Sequence, residues 1–180
     1  MEKRIDNNPA GHGKRRRWPR WLLEIAVVLL IFVLVQAWMT RAAPRGEAPD
    51  FSGVLLDGAP FALSELRGKA ALIHFWATWC PICSLQQGAI DAVAEDHAVL
   101  TVAMDEASAS DVRAYLQEAG VDFPVLHDPG ADIARMYAIR GVPTSFILDA
   151  GGKIRFVETG YTTGIGLRLR LWWAGRQPAP

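Results

Sequence analysis

The stretch Phe75–Cys83 reads FWATWCPIC and holds the only two cysteines of the 180-residue chain. An apolar run over residues 70–76 leads into it and predicts a buried strand. After it, apolar and amide side chains recur at the spacing of one helix face. These residues are Ile82, Leu85, Gln86, Ala89, Ile90 and Val93. The two cysteines are therefore expected where a strand ends and a helix begins.

This position has a chemical consequence for Cys80. The first turn of a helix exposes free backbone N–H groups and the positive end of the helix dipole, and both stabilise a thiolate. Pro81 is tolerated at the first helical position because its missing N–H would have no intrahelical partner there. The three-residue spacing puts both sulfurs on one face of this turn, close enough to bridge. We expect Cys80 to be the accessible thiol, because Cys83 lies one turn into the helix.

Composition and charge limit the possible classes of protein. A hydrophobic content of 51% is ample for a packed core. Residues 1–45 carry nine Lys/Arg and three Asp/Glu, whereas residues 46–180 carry ten and sixteen, so the net charge of zero averages two unlike regions. The acidic balance of the larger region argues against nucleic acid as a partner.

The N-terminal region predicts a single-pass membrane anchor. A basic tail over residues 1–20 precedes an apolar segment over 21–39, which is long enough to cross a bilayer. Seven Lys/Arg precede that segment, so the positive-inside rule places the N-terminus in the cytoplasm and the rest outside the cytoplasmic membrane, in the periplasm or its equivalent. A cleaved signal peptide is the alternative, but the apolar core is long for one and no strong A-x-A site follows.

The remainder predicts one α/β domain over residues 48–174, after a linker over 40–47 and before a disordered tail over 175–180. A hairpin opens the domain around Asp57-Gly58, and a second hairpin turns at residues 149–152. Ser108 or Ser110 is expected to cap a helix that ends at Gly120. The last helix is expected over 162–174, with Ile165, Leu169 and Trp172 on one side.

Together with the CxxC motif, this order of elements resembles the thioredoxin fold. The second specific part of the resemblance is Gly141-Val142-Pro143-Thr144, sixty residues after the motif. The membrane anchor and the extra N-terminal hairpin resemble extracytoplasmic thioredoxins of the TlpA, ResA and CcmG type. Pro81-Ile82 and His74 are most similar to the ScsD-like protein disulfide oxidoreductases. The resemblance implies a three-layer α/β/α fold with a mixed central sheet.

The resemblance also implies an activity and its residues. Cys80 and Cys83 would exchange disulfides with protein thiols without a cofactor. Trp79, Val142 and a cis Pro143 would bind the substrate's extended backbone, and Trp76, Pro81 and His74 would support the site. Such anchored domains receive electrons from a membrane-embedded donor, so we expect a reductant.

Two positions depart from the family. Thioredoxin has a buried Asp at the position of His74, and the ResA and CcmG types have a buried Glu at the position of Gln86. Those carboxylates move protons to and from the second cysteine. A lone histidine on a buried strand is usually a core residue, so a catalytic role for His74 is the weaker interpretation. Proton transfer must then use water, His74 or another group.

Two other functions remain open at this stage. A copper- or zinc-binding module could use the CxxC pair, although a Trp before Cys80 and a helix after Cys83 favour redox chemistry, and no metal site is expected. A thiol peroxidase is suggested by the Ala-Pro-Asp-Phe start at residue 48. Peroxidases of that kind need Thr or Ser three residues before the reactive cysteine, where this chain has Ala77. Tyr137 and Arg140 could line a groove near Pro143.

Overall fold

The computed structural model describes residues 20–41 and 43–177. The predicted basic tail, apart from Arg20, and the last three residues of the predicted disordered tail lie outside them. The chain divides into two compact units, with the boundary between Val35 and Gln36, inside the first helix. In the part of the chain that the structure describes, no helix combines the length and apolarity needed to cross a membrane.

The secondary structure follows the predicted order. The helices are α1 (Arg20–Thr40), α2 (Pro81–Ala94), α3 (Ala109–Ala119), α4 (Asp132–Met136) and α5 (Gly164–Ala174), with a 3-10 turn at Leu63–Leu66. The strands are β1 (Gly46–Glu47), β2 (Ser52–Val54), β3 (Pro60–Ala62), β4 (Ala71–Trp76), β5 (Ala98–Ala103), β6 (Val125–His127), β7 (Thr144–Leu148) and β8 (Lys153–Thr159). Ser108 caps α3 and Gly120 ends it in the left-handed conformation, so Ser108 rather than Ser110 is the cap.

Six strands form one mixed sheet in the order β1-β8-β7-β4-β5-β6. Strand β4 lies between β5, which is parallel to it, and β7, which is antiparallel. All six residues of β4 are buried, as expected for a central strand covered on both faces. β1 falls within the predicted linker, because Gly46 and Glu47 pair with β8. The prediction of a mixed thioredoxin-like sheet is confirmed.

The predicted N-terminal hairpin is formed by β2 and β3, which pair as a separate two-stranded sheet. It joins the edge of the main sheet through Leu55, which bridges to Leu126, and through the Leu56 N–H, which donates to the Val125 carbonyl at 2.8 Å. Phe51 and Phe61 enter the core beneath it. The hairpin is thus part of the packed domain.

The two faces of the sheet carry separate cores, and alternation along β4 assigns its residues to them. Ala71, Ile73 and Phe75 pack with the hairpin and α4. Leu72 and Trp76 pack with buried residues of α2, α3 and α5, among them both cysteines. His74 has the same parity as Leu72 and Trp76, so it points to the face that carries the CxxC helix.

Helix α5 buries Leu167, Leu171 and Ala174 against the sheet. The side predicted from Ile165, Leu169 and Trp172 faces solvent. The predicted disordered tail begins with an ordered turn, in which the Gly175 N–H donates to the Leu171 carbonyl at 2.9 Å and the Arg176 guanidinium lies 3.6 Å from the centre of the Trp172 ring.

Candidate active site

The centre of the candidate site is the start of α2. Cys80 is the N-cap residue, and its Sγ accepts a hydrogen bond from the Cys83 N–H at 3.2 Å. Pro81 occupies the first helical position, as the sequence predicts. Cys80 and Cys83 form a disulfide, with their Cα atoms 5.2 Å apart. Cys83 is 1% exposed and Cys80 4%, so Cys80 is the less covered of the two sulfur-bearing residues.

The loop before β7 meets Cys80 although it lies about sixty residues further along the chain. The Val142–Pro143 bond is cis, as the resemblance implies. The Val142 carbonyl oxygen is 3.6 Å from Cys80 Sγ. The Pro143 carbonyl accepts the Gly160 N–H at 2.8 Å, and the Thr144 hydroxyl donates to the Gly141 carbonyl at 2.7 Å. These bonds hold the loop against the reactive sulfur.

The two tryptophans of the motif have different roles in the structure. Trp76 is buried, donates its indole N–H to Thr101 Oγ1 at 3.1 Å and stacks on Tyr115. Trp79 is 70% exposed, immediately before Cys80. Trp76 is therefore a core residue, whereas Trp79 lies in solvent beside Cys80.

Asp105 is a supporting residue that the sequence reasoning did not assign to the site. Its carboxylate accepts the Thr78 N–H at 3.0 Å and the Thr78 hydroxyl at 2.5 Å, which fixes the loop just before Cys80. The backbone carbonyl of Asp105 lies 3.0 Å from His127 Nε2. Asp105 follows β5, and the carboxyl ends of parallel strands meet at one edge of a sheet. An aspartate directly after an apolar strand was the available signal.

Two buried polar side chains on β4 and α2, His74 and Gln86, are uncharged. His74 Nδ1 lies 2.9 Å from Ser145 Oγ on the neighbouring strand, and burial lowers the pKa of His74 to about 3, so it is neutral at ordinary pH. Gln86 is completely buried, one helical turn after Cys83, and neither atom of its amide has a hydrogen-bond partner among the described residues. The buried residues of α2, which are Cys83, Gln86, Gln87, Ile90 and Val93, thus include no charged side chain.

Other candidates fall away from the site. Tyr137 is completely buried among Phe51, Phe75 and Phe146, and its hydroxyl donates to the Pro49 carbonyl at 2.9 Å, so it does not line a groove. Within residues 20–41 and 43–177, no three His, Cys, Asp or Glu side chains come together at metal-binding distances. The chemistry that the geometry offers is that of a dithiol and disulfide at a helix N-terminus.

Comparison with known proteins agrees with this geometry. The profile of the AhpC/TSA family matches residues 44–157. A thioredoxin-like protein of Haemophilus influenzae is 36% identical over 154 residues, which cover 84% of this chain and 92% of that protein. The thiol-disulfide oxidoreductase ResA of Bacillus anthracis is 33% identical over 148 residues, covering 75% of this chain and 85% of that one.

Solved structures give the same assignment. The crystal structure of a thiol:disulfide interchange protein of the thioredoxin family from Chlorobium tepidum superimposes with a TM-score of 0.65 at 29% identity, and the match covers 73% of this chain and 97% of that one. The chain therefore belongs to the AhpC/TSA family and, within it, to the thioredoxin-like thiol-disulfide oxidoreductases of the ResA type.

Proposed function

We propose that this chain exchanges disulfides with protein partners through Cys80 and Cys83, acting as a reductant outside the cytoplasm. The observation that carries the proposal is the placement of Cys80 Sγ at the N-terminus of α2, 3.6 Å from the carbonyl oxygen of Val142, a half-buried residue of the loop before β7. The sulfur is the nucleophile, and the carbonyl is a backbone acceptor beside it. A partner's cysteine can reach Cys80 Sγ while the partner's backbone N–H donates to the Val142 carbonyl.

The reaction balances without a cofactor. The Cys80 thiolate attacks one sulfur of the partner's disulfide, a mixed disulfide forms, and the other partner sulfur leaves as a thiolate. The Cys83 thiolate, after losing its proton, attacks Cys80 Sγ, and the second partner thiolate leaves. Two electrons pass to the partner, whose thiolates take up two protons, and Cys80 and Cys83 become the observed disulfide.

The position of Cys80 at the cap favours it as the attacking sulfur. The Cys83 N–H, which also donates to the Cys80 carbonyl at 3.1 Å, points at Sγ and stabilises negative charge there. Cys83 is deeper and is reached from Cys80 rather than from solvent. The two steps therefore use the two sulfurs in a fixed order.

The proposed reductant role requires a source of electrons. A membrane-embedded donor that reduces the Cys80–Cys83 disulfide would restore the dithiol after each turnover. The support for this donor is the resemblance to anchored domains, together with the apolar segment over 21–39 that would keep the domain at the membrane surface.

The reaction order is tested by trapping. In Cys83→Ser the mixed disulfide on Cys80 cannot be resolved, so partners should remain attached as discrete bands on non-reducing gels and disappear with dithiothreitol. Cys80→Ser is the matched control, because it leaves one thiol at the other position of the same turn. Equal band patterns from both variants would contradict the proposed roles.

The location is tested separately. A reporter enzyme that is active only outside the cytoplasm, fused after Pro180, should be active in cells. A fusion to a chain that lacks residues 1–40 is the control and should be inactive. An inactive reporter on the full-length chain would contradict the proposed location. It would not contradict the proposed dithiol chemistry.

A further inference from the structure

Large exposed apolar side chains are concentrated on one side of the domain. In the described chain after residue 45, only Val54 and Met136 among them lie away from the region formed by residues 79–85 and 161–173. Six side chains within that region, between 45% and 75% exposed, form what we call the α2–α5 stripe. They are Trp79, Ile82, Leu85, Ile165, Leu169 and Trp172. Apolar patches of this kind on a soluble domain mark interaction surfaces.

The stripe is continuous because α5 begins beside the middle of α2 and leaves the first half of α2 uncovered. Gly164, at the start of α5, packs beside Ala89, since a Cβ built on it would lie 3.6 Å from the Ala89 Cβ. Further along, Arg168 donates to the Ala92 carbonyl, so α5 runs beside the second half of α2. Ile82 and Leu85 lie on the same side of α2 as Ala89, but ahead of the point where α5 starts. They are left uncovered, and Ile165 continues the row.

The stripe starts at the reactive sulfur, because Trp79 precedes Cys80 and Ile82 follows it by two residues. Its extent is about 20 Å, since the seven-residue steps from Ile82 to Ala89 and from Ile165 to Trp172 each rise about 10 Å along a helix. A row of apolar side chains of this length fits one face of an amphipathic helix of about 13 residues.

Charge along the stripe is uneven. Residues 77–88 and 159–167 contain no charged residue, and the Asp105 carboxylate that bonds Thr78 is buried, so the exposed side chains of these two segments are neutral. Arg168 pairs with Asp96 and Arg170 pairs with Glu158, whereas the Arg176 guanidinium lies over the Trp172 ring and has no carboxylate partner among the described residues. The far end therefore presents one cation without a carboxylate partner, Arg176, on a region of the chain whose net charge is negative. An occupant should be neutral and apolar near Cys80 and acidic at its other end.

Resting on the proposed function, we infer that the α2–α5 stripe is the docking surface for a protein partner that presents an amphipathic helix next to its cysteine. The helix lays its apolar face along the stripe while the cysteine meets Cys80. A lipid surface fits less well, because a bilayer that covered the stripe from Trp79 onward would also cover the reactive sulfur.

The experiment uses the reduced full-length chain and two synthetic probes. Both are 16-residue peptides supplied as homodimeric disulfides, with a cysteine at one end and two glutamates at the other. One carries leucines at the spacing i, i+4, i+7 and i+11, and the second has the same composition with the leucines scrambled. Each reduction consumes one protein dithiol and yields two peptide thiols, whose appearance gives the rate. Oxidised glutathione, which is too short to reach α5, provides the reference rate.

We expect the patterned peptide to be reduced at least about tenfold faster than the scrambled one, and Leu85→Ser and Leu169→Ser each to lower that ratio severalfold. The matched control is Val54→Ser, an exposed apolar position on the β2–β3 hairpin, which should keep the ratio. Equal rates for the two peptides, or an unchanged ratio in both stripe variants, would overturn the inference.

Two further outcomes separate the alternatives. If vesicles of phosphatidylcholine and phosphatidylglycerol slow the wild type but not Leu169→Ser, while the peptides react equally, the stripe faces lipid and the inference is wrong. If neither the peptides nor oxidised glutathione react with the reduced chain, the proposed function itself fails, and the inference fails with it. If oxidised glutathione reacts normally but the two peptides react at equal rates, the inferred docking surface is wrong and the proposed function is unaffected.

Discussion

Two neutral polar side chains, His74 on β4 and Gln86 on α2, are buried in the domain. Each is explained differently by its surroundings. His74 has a partner, Ser145 Oγ at 2.9 Å, and burial keeps its imidazole neutral. Gln86 has no partner for its amide among the described residues. At the scale of single residues, the Gln86 amide predicts an effect on stability, and the neutral His74 predicts a dependence of stability on pH.

Replacing Gln86 by methionine should raise the free energy of unfolding by about 1–3 kcal/mol. A buried amide without hydrogen bonds has lost its bonds to water and makes no protein hydrogen bond that compensates for them. Urea unfolding of the oxidised chain, followed by tryptophan fluorescence, measures the change. Gln87→Met is the matched control. Gln87 donates to the Tyr115 hydroxyl at 3.0 Å, so that variant should be less stable than the wild type. A larger loss for Gln86→Met than for Gln87→Met would contradict the argument.

His74 makes stability depend on pH in a direction that can be worked out. Its pKa is about 3 in the folded state and 6.5 as the reference for the unfolded chain, so the unfolded state binds a proton first as pH falls. The free energy of unfolding should therefore fall by about 1.4 kcal/mol per pH unit between pH 6 and pH 4 from this group alone. The slope from this group should be half as large at about pH 6.5 and should vanish above about pH 7.5.

The measurement is the urea midpoint and m-value at several pH values, for the wild type and for His74→Gln. The variant keeps a polar side chain that can bond Ser145 but cannot titrate. Its pH slope between 6 and 4 should be smaller than that of the wild type by about one proton. Equal pH slopes for the wild type and His74→Gln would contradict the argument. They would mean that His74 takes up a proton at the same pH in the folded and the unfolded chain.

At the scale of elements, the N-terminus of α2 sets the difference between the two cysteines. The cap position gives Cys80 Sγ a hydrogen bond from the Cys83 N–H and the positive end of the helix, whereas Cys83 is packed against the sheet. Asp105 at the end of β5 fixes the preceding loop through Thr78. Three adjacent elements, β4, β5 and α2, therefore meet at one reactive atom.

Alkylation measures this difference. With limiting iodoacetamide near pH 7, the reduced wild-type chain should be labelled at Cys80 first. Cys83→Ser should react at least about tenfold faster than Cys80→Ser, because a thiolate at a helix N-terminus forms at lower pH than an ordinary buried thiol. Peptide mapping identifies the labelled site. Preferential labelling of Cys83 in the reduced wild type would reverse the proposed order of attack.

At the scale of the whole molecule, both apolar cores consist of residues from Ala43 onward. The strand order puts β4 at the centre, between β5 on one side and β7 on the other. That arrangement brings the start of α2 and the loop before β7 to the same edge of the sheet. Among the described residues, those that form the two cores and the site therefore all follow the first helix in sequence.

A chain that starts at Ala42 should consequently unfold at the same urea concentration as the full-length chain and reduce oxidised glutathione at the same rate. Both chains are compared in the same buffer and detergent, so that only the N-terminal 41 residues differ. A second truncation at Phe51, which removes β1 and the Pro49 carbonyl that Tyr137 bonds, is the contrasting variant and should be less stable. Equal stability of both truncations would contradict the assigned start of the domain.

The sequence by itself determined what depends on neighbours along the chain. The strand before Cys80 and the helix after it follow from apolar periodicity, and Pro81 and the cap position follow from short-range backbone requirements. Ser108 and Gly120 were identifiable as the ends of α3 in the same way. The Val142-Pro143 loop was found only through its resemblance to a family, because no local pattern relates it to Cys80.

The tertiary structure alone decided what depends on contacts between distant residues. It placed the Val142 carbonyl against Cys80 and bound Asp105 to Thr78, because strands far apart in sequence are neighbours in the sheet. It also decided which apolar side of α5 is buried. Periodicity marks Ile165, Leu169 and Trp172 as one row but does not say what covers them. The point where α5 meets α2 leaves that row in solvent, because burial is settled by the packing partner and not by the pattern.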